Sequence, residues 1–182
     1  SLFKRKRTFM SRICSLILAL LLILALGPDN LAEASSQTAS ELAAGYRAAT
    51  TANQKRDCLI KMAASGDGEL ASLLLEIIKT DKNTNLRLQA MQALYRNRGQ
   101  GFALELTQIL PEEKSFYVQR IGLLCLMNLR ETKVAPLLMH WARSVTSKET
   151  VLRILETITL IPDPALFPDL TNFLNNGASD EI

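Results

Sequence analysis

The sequence predicts an all-α fold, a right-handed α-solenoid of antiparallel two-helix repeats with a 32-residue period. Two observations carry that expectation. Apolar residues recur at helical spacing within short segments, and the segments recur without a gap along the chain. A third is compositional. The chain is 48% apolar but only 5% aromatic. Leu and Ala dominate, and Gly and Pro are few, a mix that suits helices better than a β-sandwich.

The N-terminus comes first. "FMSRICSLILALLLILALGPDNLAEASS" holds an apolar run from Ile13 to Leu26 behind Arg12. At about 1.5 Å per residue the run covers roughly 21 Å, short of the ~30 Å hydrocarbon core of a bilayer. Gly27-Pro28 ends it, and Ala32-Glu33-Ala34 has the small-x-small form that signal peptidase accepts. Residues 1–34 therefore read as a signal peptide cleaved after Ala34, or as an N-terminal membrane anchor. In both cases Lys4 to Arg7 hold the start of the chain in the cytoplasm and the rest is exported, to the periplasm or an equivalent extracytoplasmic space. Cys14 opens the apolar run instead of following it, so it is not a lipid-attachment cysteine.

This segment also accounts for the charge. The chain has 21 basic and 18 acidic residues, a net of +3. Five of the basic and two of the acidic residues lie in 1–34, which leaves 16 of each beyond it. A nucleic-acid footprint needs a clustered basic face. None is visible, so nucleic acid is not an expected partner, and the membrane is one only through the N-terminal segment.

From residue 68 the columns are regular. Leu70, Phe102, Val134 and Leu166 form one; Leu74, Leu106, Leu138 and Leu170 the next; Ile77, Ile109, Trp141 and Phe173 a third. They sit at i, i+4 and i+7, one face of a helix, here called A. Half a period later comes helix B. Leu86, Val118, Thr150 and Ile182 align, as do Cys58, Ala90, Gly122 and Ile154, and Met62, Leu94, Leu126 and Ile158. The middle column of B is mostly small, which lets neighbouring backbones approach. Asp67, Gly99, Glu131 and Asp163 mark the B-to-A turns. Thr38 with Glu41 and Thr146 with Glu149 fit capping boxes, and Asp163-Pro164 fits an N-cap followed by a first-turn proline.

The predicted helices are 39–50, 53–65, 69–80, 85–97, 101–110, 115–129, 132–143, 148–160 and 164–175. Residues 35–67 form a degenerate N-terminal capping repeat, and 68–182 the repeats proper. Ile182 falls in the first apolar column of a further helix B. The last repeat is therefore expected to be truncated, in an array that continues, with Met10 as the conventional opening of the signal and 1–9 as upstream read-through.

"NLRLQAMQAL", with Leu86, Arg87, Ala90, Ala93 and Leu94 at its apolar-Arg-x-x-Ala-x-x-Ala-Leu positions, resembles the HEAT repeat, in particular the short bacterial form of bilin lyase-like proteins. The likeness covers roughly 53–182. The third copy departs at Gln119, Gly122 and Cys125, the fourth at Val151, Ile154 and Thr157. The resemblance implies an armadillo-like helical stack whose broad face binds another protein. It does not transfer a lyase activity.

Catalytic chemistry has little to stand on. His140 is the single histidine, in a polar column with Glu76, Gln108 and Asn172. Trp141 reads as core. Cys58 and Cys125 lie two repeats apart, roughly 20 Å at ~8–10 Å per helix layer, too far for a disulfide; two buried free thiols are expected. Gly99-x-Gly101 is a helix–helix turn, not a phosphate cradle. Glu112-Glu113 and Asp180-Glu181 read as solvated loop charges. No cofactor, metal or catalytic residue is assigned.

The deviation of interest is "QRIGLLCLMNL", apolar almost all round. Ile121, Leu124 and Met127 fall outside the inter-helix columns, edged by Gln92, Arg96 and Arg120. These six form the candidate partner-binding patch, with burial in the core as the competing reading. The leading function is an exported, non-catalytic protein-interaction scaffold. The alternatives are a subunit of a bilin or prosthetic-group lyase-like enzyme and a membrane-anchored assembly factor.

Overall fold

A computed structural model describes residues 37–97, 99, 101–161 and 163–176. The expected signal or anchor, and the expected truncated helix at Ile182, lie outside these. Among the described residues there are nine α-helices and no strand. They are α1 (Ala39–Ala48), α2 (Ala52–Ser65), α3 (Ala71–Thr80), α4 (Thr84–Arg96), α5 (Ala103–Ile109), α6 (Phe116–Leu129), α7 (Ala135–Ser144), α8 (Lys148–Leu160) and α9 (Phe167–Asn176). No helix among the described residues is long and apolar enough to cross a membrane.

The helix starts have local causes. Thr38 and Thr51 each close a full capping box, with Glu41 and Gln54 respectively. Asn83 accepts from the Asn85 amide ahead of α4. The cap of α8 is Ser147, whose hydroxyl accepts from the Thr150 amide, so the expected pairing of Thr146 with Glu149 is corrected by one residue. Three odd helices begin later than their columns suggest, because a 3-10 turn precedes each: Gly68–Leu70, Thr132–Val134 and Pro164–Leu166. In two of them an aspartate tightens the turn. Asp67 and Asp163 each accept from the amide two residues on, which holds the chain in the tighter winding before the α-helix opens.

Each odd helix from α1 to α7 packs on the even helix that follows it. Even helices also pack on one another in sequence, α2 on α4, α4 on α6 and α6 on α8, as do α3 on α5 and α5 on α7. The core is the seam where these meet. Leu74, Leu106 and Leu138 are wholly buried in it, as are Met62, Leu94 and Leu126 within a few per cent. Leu170 and Phe173, the α9 members of those columns, are half-buried. Trp141 is buried, as its column predicts.

At Gly122, the small residue on α6, the space is taken by a side chain and not by a neighbouring backbone as expected. A Cβ on Gly122 would overlap Leu110 Cδ2 and meet Leu110 Cδ1 at 3.0 Å. Leu110 is itself fully buried, so the glycine on α6 is the space into which a side chain from the preceding turn packs.

Candidate interaction surface

The six residues expected to bind a partner lie on α4 and α6, two helices in direct contact. Arg120 is exposed, and Gln92, Arg96, Leu124 and Met127 are half-buried. Ile121 is half-buried and packs against the core cluster, so it belongs at least partly to the fold. Neither α4 nor α6 contains an Asp or Glu. Among the described residues, Arg96 and Arg120 make no ion pair or hydrogen bond.

Sequence columns missed part of this surface. Tyr95 on α4 is 43% exposed, Tyr117 on α6 is 67% exposed, and Leu152 on α8 is 45% exposed. The Tyr117 ring stands edge-on to Phe116, with centroids 6.0 Å apart. The signal was present. Leu152 stands thirty-two residues after the exposed Arg120, and Tyr95 thirty-two residues before Met127. Tyrosine, arginine and methionine are the side chains enriched where proteins bind one another.

A second cluster lies at the loops between odd and even helices. Arg87 Nε donates to Glu113 Oε2 at 2.7 Å and Arg87 Nη2 to Oε1 at 2.8 Å, a two-pronged pair. The same guanidinium donates through Nη1 to the Asp81 carbonyl and, through Nη2, to the Thr84 hydroxyl. Glu113 also accepts from the Ser115 amide. It is 8% exposed. The expectation of a solvated loop charge is thus wrong for Glu113, while Glu112 is exposed as expected. Burial pushes the Glu113 carboxyl up, but the hydrogen bonds from Arg87 and Ser115 outweigh it and hold the group below its ordinary value. The same bonds to Glu113 raise Arg87.

Thirty-two residues before Arg87 and Glu113 stand Lys55 and Asp81. Their charged atoms are 4.0 Å apart. The Tyr46 hydroxyl donates to Asp81 Oδ2 at 3.3 Å, and Lys55 Nζ lies 5.4 Å from the Tyr46 ring centroid. Burial first, and Asp81 second, push the tyrosine up to about 12. A cavity of about 320 Å³ opens beside the Arg87–Glu113 pair, lined by Lys79, Glu105, Gln108 and Lys114 among others. The polar atoms of the pair are consumed by each other and by the loop backbone. The cluster is a fastening between neighbouring loops.

His140 is exposed, and both Cys58 and Cys125 are free thiols. Cys125 is buried and its thiol is pushed up by burial alone, the reverse of an activated nucleophile. Cys58 is half-buried, not buried as expected, and burial raises it too. Among the described residues no group of three His, Cys, Asp or Glu side chains could hold a metal ion. Asp180 and Glu181 lie outside the described residues. Comparison with family models, with curated proteins and with solved structures gives no match to this chain.

Proposed function

We propose that this protein is an exported, non-catalytic scaffold of HEAT-like repeats that binds another protein through the exposed face of its even-numbered helices. The stack is a right-handed α-solenoid with a 32-residue period. Support for the period comes from helix starts at Ala71, Ala103, Ala135 and Phe167, and at Ala52, Thr84, Phe116 and Lys148. Support for stacking comes from the neighbour-to-neighbour packing along both rows.

The observation that carries the binding function is the composition of the α4–α6 face. Two arginines without partners flank half-buried Leu124 and Met127, with exposed Tyr95 and Tyr117 beside them. A solvated helix face needs none of these apolar groups, whereas a docking face does.

Two experiments test the reading. Deleting residues 84–115, one complete unit, leaves a cooperatively unfolding helical protein if the period is real, and a chain without cooperative unfolding overturns it. Affinity capture of the full chain from its own host, compared with the Leu124→Glu variant, tests binding. A partner lost from the variant while the helical signal persists supports the scaffold; equal capture by both removes this face from the function. Mass of the exported protein reports whether residues through Ala34 are removed.

A further inference from the structure

We infer that the α4–α6 face docks an acidic segment of the partner protein, whose carboxylates pair with Arg96 and Arg120 while its apolar side chains cover Leu124 and Met127. The inference rests on the scaffold reading and deepens it by naming the partner's chemistry.

Charge complementarity is the argument. Three arginines hold a carboxylate within 3.2 Å: Arg87 with Glu113, Arg143 with Asp169 and Arg153 with Glu156. Arg96 and Arg120 have nothing comparable. The helices that carry them offer no carboxylate, so the guanidiniums cannot be neutralised within their own elements. The flanking even helices do carry acids: Asp57 on α2 lies beside Arg56, Glu156 on α8 pairs with Arg153, and Glu149 stands in the first turn of α8. A guanidinium presents a planar fork of donors that matches a carboxylate in two-pronged geometry. With even helices in register, Arg96 and Arg120 stand about 12 Å apart along the helix axes and one helix spacing of about 8–10 Å apart across them. Gln92, Leu124 and Met127 occupy the space between. That pattern, positive at two corners and apolar in the middle, is complementary to a short segment with acidic residues flanking apolar ones. It is poorly complementary to a nucleic acid, whose backbone would leave the leucine and methionine uncovered. Since the charges sit at the rim of the patch, they act chiefly on association rate and on salt sensitivity.

The test selects from a displayed library of random short peptides on the full 182-residue chain, held in mild non-ionic detergent. Enriched peptides should carry Asp or Glu together with Leu, Met or aromatic residues. The best of them, made synthetically, should bind the Arg96→Gln/Arg120→Gln variant on the order of tenfold more weakly, with its salt dependence reduced. Circular dichroism establishes that the variant is folded; the single Arg120→Gln change, at the more exposed site, serves if it is not. Enrichment of neutral or basic peptides overturns the inference. So does acidic enrichment that ignores both arginines, or an oligonucleotide that displaces the selected peptide. A photocrosslinking residue at position 124, used in the native host, separates the two levels. A crosslinked protein alongside neutral peptides removes the acidic partner and keeps the scaffold, whereas neither crosslink nor enrichment removes both.

Discussion

Ion pairs at one recurring position join helix to loop at α2 and α4, whereas at α6 and α8 that position holds Gln119 and Val151 and the ion pair between helices there, Arg143 with Asp169, is an exposed one. Lys55 reaches Asp81 and Arg87 reaches Glu113, each pair spanning from an even helix to the loop after the next odd one. The following rung would join Gln119 to Val145, and there is none. Gln119 instead donates to the Leu110 and Glu113 carbonyls of its own loop. Thirty-two residues beyond Gln119, Val151 is simply buried. Positions 87, 119 and 151, spaced thirty-two residues apart, therefore do three jobs: ion-pair partner, loop cap and core side chain. Arg87 bonds both to a carboxylate and to the loop backbone, Gln119 to the loop backbone alone.

The largest expected effect tests that division. Arg87→Ala leaves the Glu113 carboxylate buried, with the Ser115 amide but no cation. Removing one member of a buried pair costs about 3 kcal/mol. Lys55→Ala, at a pair whose side chains are 33% and 16% exposed, should cost under about 1 kcal/mol. Urea unfolding monitored by helical signal measures both. Equal small losses would mean that the Arg87 rung fastens nothing.

Acid should undo the same rung. The Glu113 carboxyl lies below its ordinary value of 4.5 when folded. Its contribution is therefore complete above that value and fades as the pH falls through the lower folded one. In Glu113→Gln the fall of stability with acid should be shallower below pH 4.5, since the folded and unfolded states then differ by one fewer titrating group. Denaturant midpoints taken across that range settle it. An unchanged slope would place the acid sensitivity elsewhere.

How far the sequence revealed this division depends on what each feature rests on. Helix positions were legible because burial repeats: Leu74, Leu106 and Leu138 all point into one seam, and periodicity reads such a pattern directly. Helix starts were off where an aspartate or serine chose between two adjacent turns, as Ser147 did over Thr146, because both candidates satisfy the same local pattern. Glu113 was misread because a charged dipeptide in a loop is usually solvated, and its partner lies 26 residues away. The clue was available in register, since Asp81 with Glu113 and Lys55 with Arg87 occupy matching positions. On the candidate surface, Leu124 and Met127 were legible as misfits to the core columns, whereas Tyr117 was not, because an aromatic at a helix start has no column to violate.

A smaller effect separates space from propensity. Gly122→Ala gains roughly 1 kcal/mol of helix preference but drives a methyl into Leu110, an overpacking cost of about 1–3 kcal/mol. The variant should lose about 1 kcal/mol net. In a Leu110→Ala background the clash disappears, and the same change should stabilise. The sign reversal across that double-mutant cycle is the measurement. A loss of the same size in both backgrounds would mean that Leu110 is not what fills the glycine's space.

The smallest effect concerns two helix ends. Helix α2 ends on Gly66 with φ 61°, and α6 ends on Arg130 with φ 51°. Both residues cap their helices by donating to a methionine or leucine carbonyl four residues back, so the geometry is shared and only the side chain differs. A left-handed residue with a Cβ costs about 1–2 kcal/mol, a strain that glycine avoids. Glycine's greater freedom in the unfolded chain returns about 0.4–1 kcal/mol of that difference. Arg130→Gly should therefore raise stability by roughly 0.5 kcal/mol, visible as a small upward shift in denaturant midpoint with unchanged slope. Gly66→Arg should lower it by a similar amount. If Arg130→Gly instead destabilises, the arginine side chain is packing on the helix end more strongly than its backbone is strained.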